Sequence, residues 1–265
     1  MPKLFVVSDI HGFYNELIAA LADAGFDESN EDHWLITCGD HFDRGPDPNR
    51  VMKFLMNLPR KILIKGNHEQ LLDDLCQRGY SESHDYHNGT IQTALELGSL
   101  GSLFDLDAGE VLDRAYRRTR PFFNSMINYF ETEHFIFVHS WIPTLPGEGW
   151  DGKPWYTKGR VDIFNPEWRN GNEVEWENAV WGNPFKNAAL GLNQTGKTIV
   201  FGHWHCSYGW AYGNQVNPER DQLKEYGKDA TWEPYYGDGF IAIDRCTALT
   251  KQVNVLVLED EFIYD

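Results

Sequence analysis

The stretch Gly39-Asp40-His41-Phe42-Asp43-Arg44-Gly45 follows the apolar run Trp34-Leu35-Ile36-Thr37-Cys38, which has the length and composition of a buried strand. An acid released from a strand end beside glycine can turn both carboxylate oxygens outward, and a pair of divalent metal ions needs such a bridging ligand. Asp40 stands in that place. Three residues on, Asp43 and Arg44 add a second carboxylate and a planar cationic fork, suited to paired hydrogen bonds with a phosphoryl group. Alone, the stretch also reads as an acidic turn whose arginine pairs with an aspartate, so the neighbouring segments decide.

Upstream, Leu4-Phe5-Val6-Val7 ends in Ser8-Asp9-Ile10-His11-Gly12. Asp9 and His11 are two apart, share a face in extended backbone, and can converge on one ion. A helix over 15–24 follows, with Leu17, Ala20, Leu21 and Ala24 at helical spacing. Downstream of the quoted stretch come a helix over 48–58, the strand Lys61-Ile62-Leu63-Ile64-Lys65, the loop Gly66-Asn67-His68-Glu69 and a helix carrying Leu71, Leu72 and Leu75. Three consecutive strand-loop-helix units predict an α/β sheet with its chemistry at the carboxyl ends of the strands. Asn67 offers a neutral amide oxygen, and His68 can donate a proton.

Residues 79–128 read as mostly helical, with breaks at 79–89 and 98–101; His84 and His87 in the first break read as solvated. The strand Phe135-Ile136-Phe137-Val138 ends at His139, and Thr198-Ile199-Val200-Phe201 ends at Gly202-His203-Trp204-His205. His203 and His205, again two apart, are expected to point the same way. The last strands, over 240–244 and 253–257, read as a hairpin. Aromatic-rich insertions lie at about 141–185 and 207–237; the first is either a cleft wall or a local aromatic minicore.

A chain of 265 residues is expected to form one domain over 1–265. The formal charge of -17 argues against a nucleic-acid polymer as partner, since such binders concentrate Lys and Arg. No long apolar run or basic-then-apolar leader is present, so the expectation is a soluble, cytoplasmic protein without a membrane partner. Cys38, Cys76, Cys206 and Cys246 lie far apart and read as thiols of a reduced compartment; Cys206 stands out because it follows a candidate ligand.

Five strand ends thus present D-x-H-G, G-D-x-x-D-R-G, G-N-H-E, His139 and G-H-x-H in that order. The set resembles the calcineurin-like metallophosphoesterase superfamily, and 9–69 looks most like its bacterial and phage serine/threonine phosphoprotein phosphatase branch. The resemblance implies a central β-sandwich of mixed sheets flanked by helices. It also implies two divalent ions, one held by Asp9, His11 and bridging Asp40, the other by Asp40, Asn67, His139 and His203. Mixed oxygen and imidazole ligands favour manganese, iron or zinc over magnesium or calcium without choosing among the three, and manganese is the expected metal. A hydroxide shared by the ions would attack phosphorus in line, Arg44 would hold the phosphoryl oxygens, and His68, oriented by Asp43, would protonate the leaving group.

Three departures from that branch carry expectations. Trp141 follows His139-Ser140 where small residues are usual, which would narrow the mouth of the site. His205 resembles the wider superfamily, in which a second histidine joins the first metal. A second phosphate-binding arginine, usual near Asn183, is missing; either Arg160 or Arg169 folds in to replace it, or the substrate needs one clamp fewer. The segment Tyr86-His87-Asn88-Gly89-Thr90 resembles the asparagine-glycine loop of the small phosphatases, so the expected substrate is a phosphorylated protein or small phosphomonoester. A dinucleoside polyphosphate or another nucleotide ester is the alternative, followed by a metal-binding scaffold without turnover.

Overall fold

In the computed structural model, which describes residues 1–98, 108–148, 161–213 and 224–262, the three strand-loop-helix units form as the periodicity predicts. Strands β1 (Lys3–Val7), β2 (His33–Cys38) and β3 (Lys61–Ile64) run parallel, each followed by a helix: α1 (Tyr14–Asp23), α2 (Pro48–Asn57) and α3 (Asn67–Arg78). The helical region continues as α4 (Ser83–Asn88), α5 (Thr90–Gly98) and α6 (Ala108–Phe123). Helix α4 occupies the break expected at 79–89. The Asp85 carboxylate accepts the Glu82 N–H at 2.7 Å, and Gly89 ends the helix in the left-handed region.

Strands β4 (Tyr129–Glu131) and β5 (Phe135–Val138) open a second sheet. A two-stranded ribbon follows, β6 (Thr144–Pro146) with β7 (Asp162–Phe164), then α7 (Glu173–Val180) and α8 (Pro184–Ala189). The second sheet is completed by β8 (Thr198–Phe201), β9 (Tyr235–Gly237) and β10 (Phe240–Ala242), in the order β4-β5-β8-β10-β9. Helix α9 (Cys206–Tyr212) follows β8, and α10 (Thr247–Thr250) follows β10.

The closing hairpin does not form. The last strand, β11 (Leu256–Glu259), pairs antiparallel with β1, giving a first sheet ordered β11-β1-β2-β3, while β10 pairs with β8 and β9. The 243–255 segment carries the chain from one sheet to the other and seats Val253 in the helix-facing core of the first.

Period-two alternation sorts the side chains into layers. Leu4, Val6, Ile36 and Ile64 meet Phe137, Val200 and Ile241 between the sheets. Phe5, Val7, Leu35 and Leu63 face the helices of the first layer, and Ile136, Val138, Ile199 and Phe201 face those of the second. Both faces of both sheets are covered, which is why the strands read as unbroken apolar runs. The fold is therefore α/β, a sandwich of two mixed sheets flanked by helices. Among the described residues no helix is long and apolar enough to cross a membrane. The four cysteines are free thiols; that of Cys206 is buried and donates to the Ala242 carbonyl at 3.1 Å.

Candidate metal centre

The carboxyl ends of β1, β2, β3, β5 and β8 meet at one edge of the sandwich and interlock through their backbones. Asp9 N–H donates to the Gly39 carbonyl at 3.1 Å, His11 N–H to that of Asp40 at 2.9 Å, and Gly202 N–H to that of His139 at 2.8 Å. Of the eight non-glycine residues with positive φ among the described residues, six lie in these loops: Asp9, His11, Asp40, Asp43, Arg44 and His203. Left-handed backbone is costly for such residues and survives only where the surroundings fix it, as at functional sites. Gly39 is required by a closer constraint. Its φ is +83°, and a Cβ there would stand 2.5 Å from His139 Nδ1.

Two groups of donors converge around Asp40. On one side, its Oδ2 lies 3.8 Å from His11 Nε2 and 3.8 Å from His68 Nε2, with Asp9 Oδ1 4.0 Å from His11 Nε2. On the other, its Oδ1 lies 3.4 Å from His139 Nε2, which is 2.8 Å from Asn67 Oδ1 and 3.1 Å from His203 Nδ1. His203 Nδ1 is also 3.0 Å from Asn67 Oδ1. His139 donates its Nδ1–H to the Cys38 carbonyl at 2.8 Å, so its Nε2 carries a lone pair. Two acceptors, Asn67 Oδ1 and His139 Nε2, therefore face each other, and His203 can supply at most one proton between them. Such a cluster of lone pairs suits a cation.

Electrostatics agree with that fit. Burial drives the imidazoles of His11 and His203 well below their ordinary pKa and His139 down to about 4. The contacts of Asp40 with His11 and His139 are thus not ion pairs; burial favours the neutral form of these rings and of His203, as ligands must be. Burial and the nearby Asp244 raise the carboxyl of Asp9, and burial with Asp9 and Glu69 raises that of Asp40. Crowded, desolvated carboxylates of this kind are relieved by bound cations.

Arg44 is exposed and lies across the cluster, donating from Nη1 to His11 Nε2 at 2.8 Å and from Nη2 to His68 Nε2 at 3.1 Å. The other ring nitrogens fix the tautomers: His11 Nδ1–H donates to the Phe42 carbonyl at 2.8 Å and His68 Nδ1–H to Asp43 Oδ2 at 2.7 Å. Nine of the ten singled-out side chains are thus assembled at one edge.

His205 is the exception. Its backbone, at φ −64° and ψ 146°, is the extended N-cap of α9, and its ring turns to Tyr226 Oη at 2.9 Å and Ser207 Oγ at 2.7 Å. The structure does not bring it to the cluster. Trp141 does not narrow the mouth: it is buried against Phe201 in the second helical layer. Arg169 pairs with both oxygens of Glu131 at the far end of the second sheet and does not replace the missing arginine. Arg160 lies outside the described residues, as do Trp150, Trp155 and Tyr156 of the first aromatic insertion. Of that insertion, Trp168 and Trp176 form a minicore on Tyr129, with centroids 4.8 and 5.3 Å from its ring, whereas Trp181 donates to Gln70 Oε1 at 2.7 Å beside the site.

Other supporting residues were given no role from the sequence, although Glu69 closes the G-N-H-E motif. Burial raises the Glu69 carboxyl, yet His41 and backbone N–H groups outweigh it and hold it at about 2. Glu69 accepts from the N–H groups of Asp40, His41 and Gly66 at 3.1, 2.9 and 2.7 Å, tying the second and third loops together. Asp244, buried behind Asp9, is pushed up to about 6 by burial.

Comparison with known proteins agrees with this arrangement. The sequence model for the calcineurin-like phosphoesterase family matches residues 2–207. Serine/threonine-protein phosphatase 2 of Salmonella typhimurium is 24% identical over 80% of this chain and 84% of its own length. A symmetrical bis(5'-nucleosyl)-tetraphosphatase of Klebsiella pneumoniae is 39% identical over 66 residues, 24% of this chain and 23% of that one. A cold-active protein-tyrosine phosphatase from a psychrophilic Shewanella shares the fold, with a TM-score of 0.52 and 16% identity over 98% of this chain and 76% of that one. With more than half of its length matched, and with donors fitted to the family's two-ion centre, the chain belongs to the calcineurin-like phosphoesterases.

Proposed function

We propose that this protein hydrolyses phosphomonoesters, on phosphorylated proteins or small molecules, at a two-metal centre. The observation that carries this reading is the placement of Asp40, with one carboxylate oxygen turned toward each donor group. Asp9, His11 and Asp40 would hold one ion, and Asp40, Asn67, His139 and His203 the other. Oxygen and imidazole donors suit manganese, iron or zinc. Bound there, the ions supply Lewis-acid charge and an acidified nucleophile.

The chain's own groups do the rest. The Arg44 fork leaves His11 and His68 to donate to the phosphoryl oxygens. His68, freed at Nε2 and held through Nδ1 by Asp43, takes up a proton at Nε2 from solvent and, as the imidazolium, gives it to the oxygen departing from phosphorus, so the leaving group exits as an alcohol. Similarity along most of the chain to a serine/threonine phosphatase supports a monoester substrate, whereas similarity to the tetraphosphatases is confined to about a quarter of it.

Turnover of p-nitrophenyl phosphate, its bis-ester, a phosphoserine peptide and diadenosine tetraphosphate with manganese tests the reading. Monoesters are expected to be preferred, and His68→Ala to slow cleavage of the phosphoserine peptide about 10²- to 10⁴-fold with metal retained. Preference for the dinucleotide would overturn the substrate assignment, and an undiminished rate for His68→Ala on the phosphoserine peptide would remove its role as acid.

A further inference from the structure

Asp43 is fully buried, and its Oδ2 accepts from His68 Nδ1 at 2.7 Å. That same oxygen accepts a second proton, from the hydroxyl of Thr90 at 2.7 Å, while Oδ1 has no partner. The backbone N–H of Asp43 donates to Thr93 Oγ1 at 3.0 Å. Between these contacts Gly89, at φ +81°, lies so close that a Cβ there would stand 2.7 Å from the Arg44 backbone nitrogen. Asp43 and Arg44 are themselves left-handed, at φ +69° and +65°. The start of α5 therefore clamps this costly turn from three sides, with Thr90 donating, Thr93 accepting and Gly89 packed against the Arg44 backbone.

We propose that Thr90 is a positioning residue of the reaction: its hydroxyl fixes the plane of the Asp43 carboxylate, and through it the direction in which His68 presents its proton. The proposal rests on His68 acting as the acid. Without the hydroxyl, Asp43 keeps one side-chain donor, His68 itself, and its carboxylate is free to turn about the terminal torsion. A misaligned acid slows departure of a basic leaving group and matters little for one that leaves as a stable anion.

The test compares phenyl phosphate with p-nitrophenyl phosphate, whose leaving group needs little protonation, on the manganese-loaded full chain. Thr90→Val should lower kcat on phenyl phosphate about tenfold and on the nitrophenyl ester less than about threefold, with KM and metal content unchanged. Thr90→Ser, which restores the hydroxyl, should stay within about twofold of the parent on both. On a His68→Ala background, Thr90→Val should produce no further selective loss. If Thr90→Val does not fold, Thr90→Ala carries the same comparison. Equal loss on both esters, a selective loss that persists without His68, or Thr90→Ser behaving like valine would each overturn the proposal. Selective loss in His68→Ala without any in Thr90→Val would overturn the role of Thr90 alone. A His68→Ala variant that treats the two esters alike would overturn the acid assignment and this proposal with it.

Discussion

The two sheets contribute different chemistry to the shared edge. Loops after β1, β2 and β3 bring the carboxylates of Asp9 and Asp40, together with His11, Asn67 and the exposed guanidinium of Arg44. Loops after β5 and β8 bring neutral imidazoles, His139 and His203, and little else that is charged. The first sheet thus carries the charge and the proposed proton-transfer pair, and the second closes the cluster with lone pairs. Asp40 is where the two sets meet.

Breaking that junction should produce the largest effect. Asp40→Asn leaves one oxygen where two are needed, so the protein is expected to bind at most one ion and to lose about 10³-fold or more in turnover. Metal analysis after gel filtration, alongside kcat on p-nitrophenyl phosphate, reads both quantities. Two retained ions with near-parental turnover would show that the sheets meet elsewhere.

A sharper version compares two histidines of the second sheet. His203→Ala removes a lone pair facing Asn67 and His139 and should cost about 10²-fold in metal affinity or activity. His205→Ala removes a ring engaged with Tyr226 and Ser207 and should cost less than about threefold. Equal losses would mean that His205 joins the cluster when ions bind, and the distinction between the two rings would fall.

The same pair shows what the sequence discloses. Asp9-x-His11 and His203-x-His205 look alike, and extended backbone predicts convergence for each. Asp9 and His11 do converge, but through left-handed residues at φ +50° and +49°, not through a strand face. At the second pair only His203 is left-handed, and the extended His205 begins a helix pointing away. Strand ends and contiguous motifs were therefore legible, because apolar runs and ligand-bearing residue types are local properties. Backbone handedness at single residues was not. Nor were Glu69, Thr90 and Asp244 as supports, or the burial of Trp141, since these depend on partners brought together only by the packed sandwich.

The smallest effect belongs to the opposite end, where the sheets are joined without chemistry. Asp260, just past β11, accepts from both the backbone N–H and Nδ1 of His134, just before β5, at 2.8 and 2.7 Å. The hydrogen bond that His134 donates to Asp260 raises the pKa of His134. Burial raises the Asp260 carboxyl, but hydrogen bonds from His134 and Thr132 outweigh it and hold it low. A raised histidine stabilises the fold fully below its unfolded value, about 6.5, and loses that contribution as pH rises through its folded value. A lowered carboxyl stabilises above its unfolded value, about 3.9, and loses that contribution as pH falls through its folded value. The latch is therefore strongest between these limits. Asp260→Asn should lower the melting temperature by a few degrees near about pH 5 and by less near about pH 9, where His134 is neutral in both proteins. Metal content and kcat should not change, because the latch lies at the end of β5 remote from His139. A fall in turnover with intact melting would mean instead that this joint sets the alignment of the two ligand sets across the sandwich.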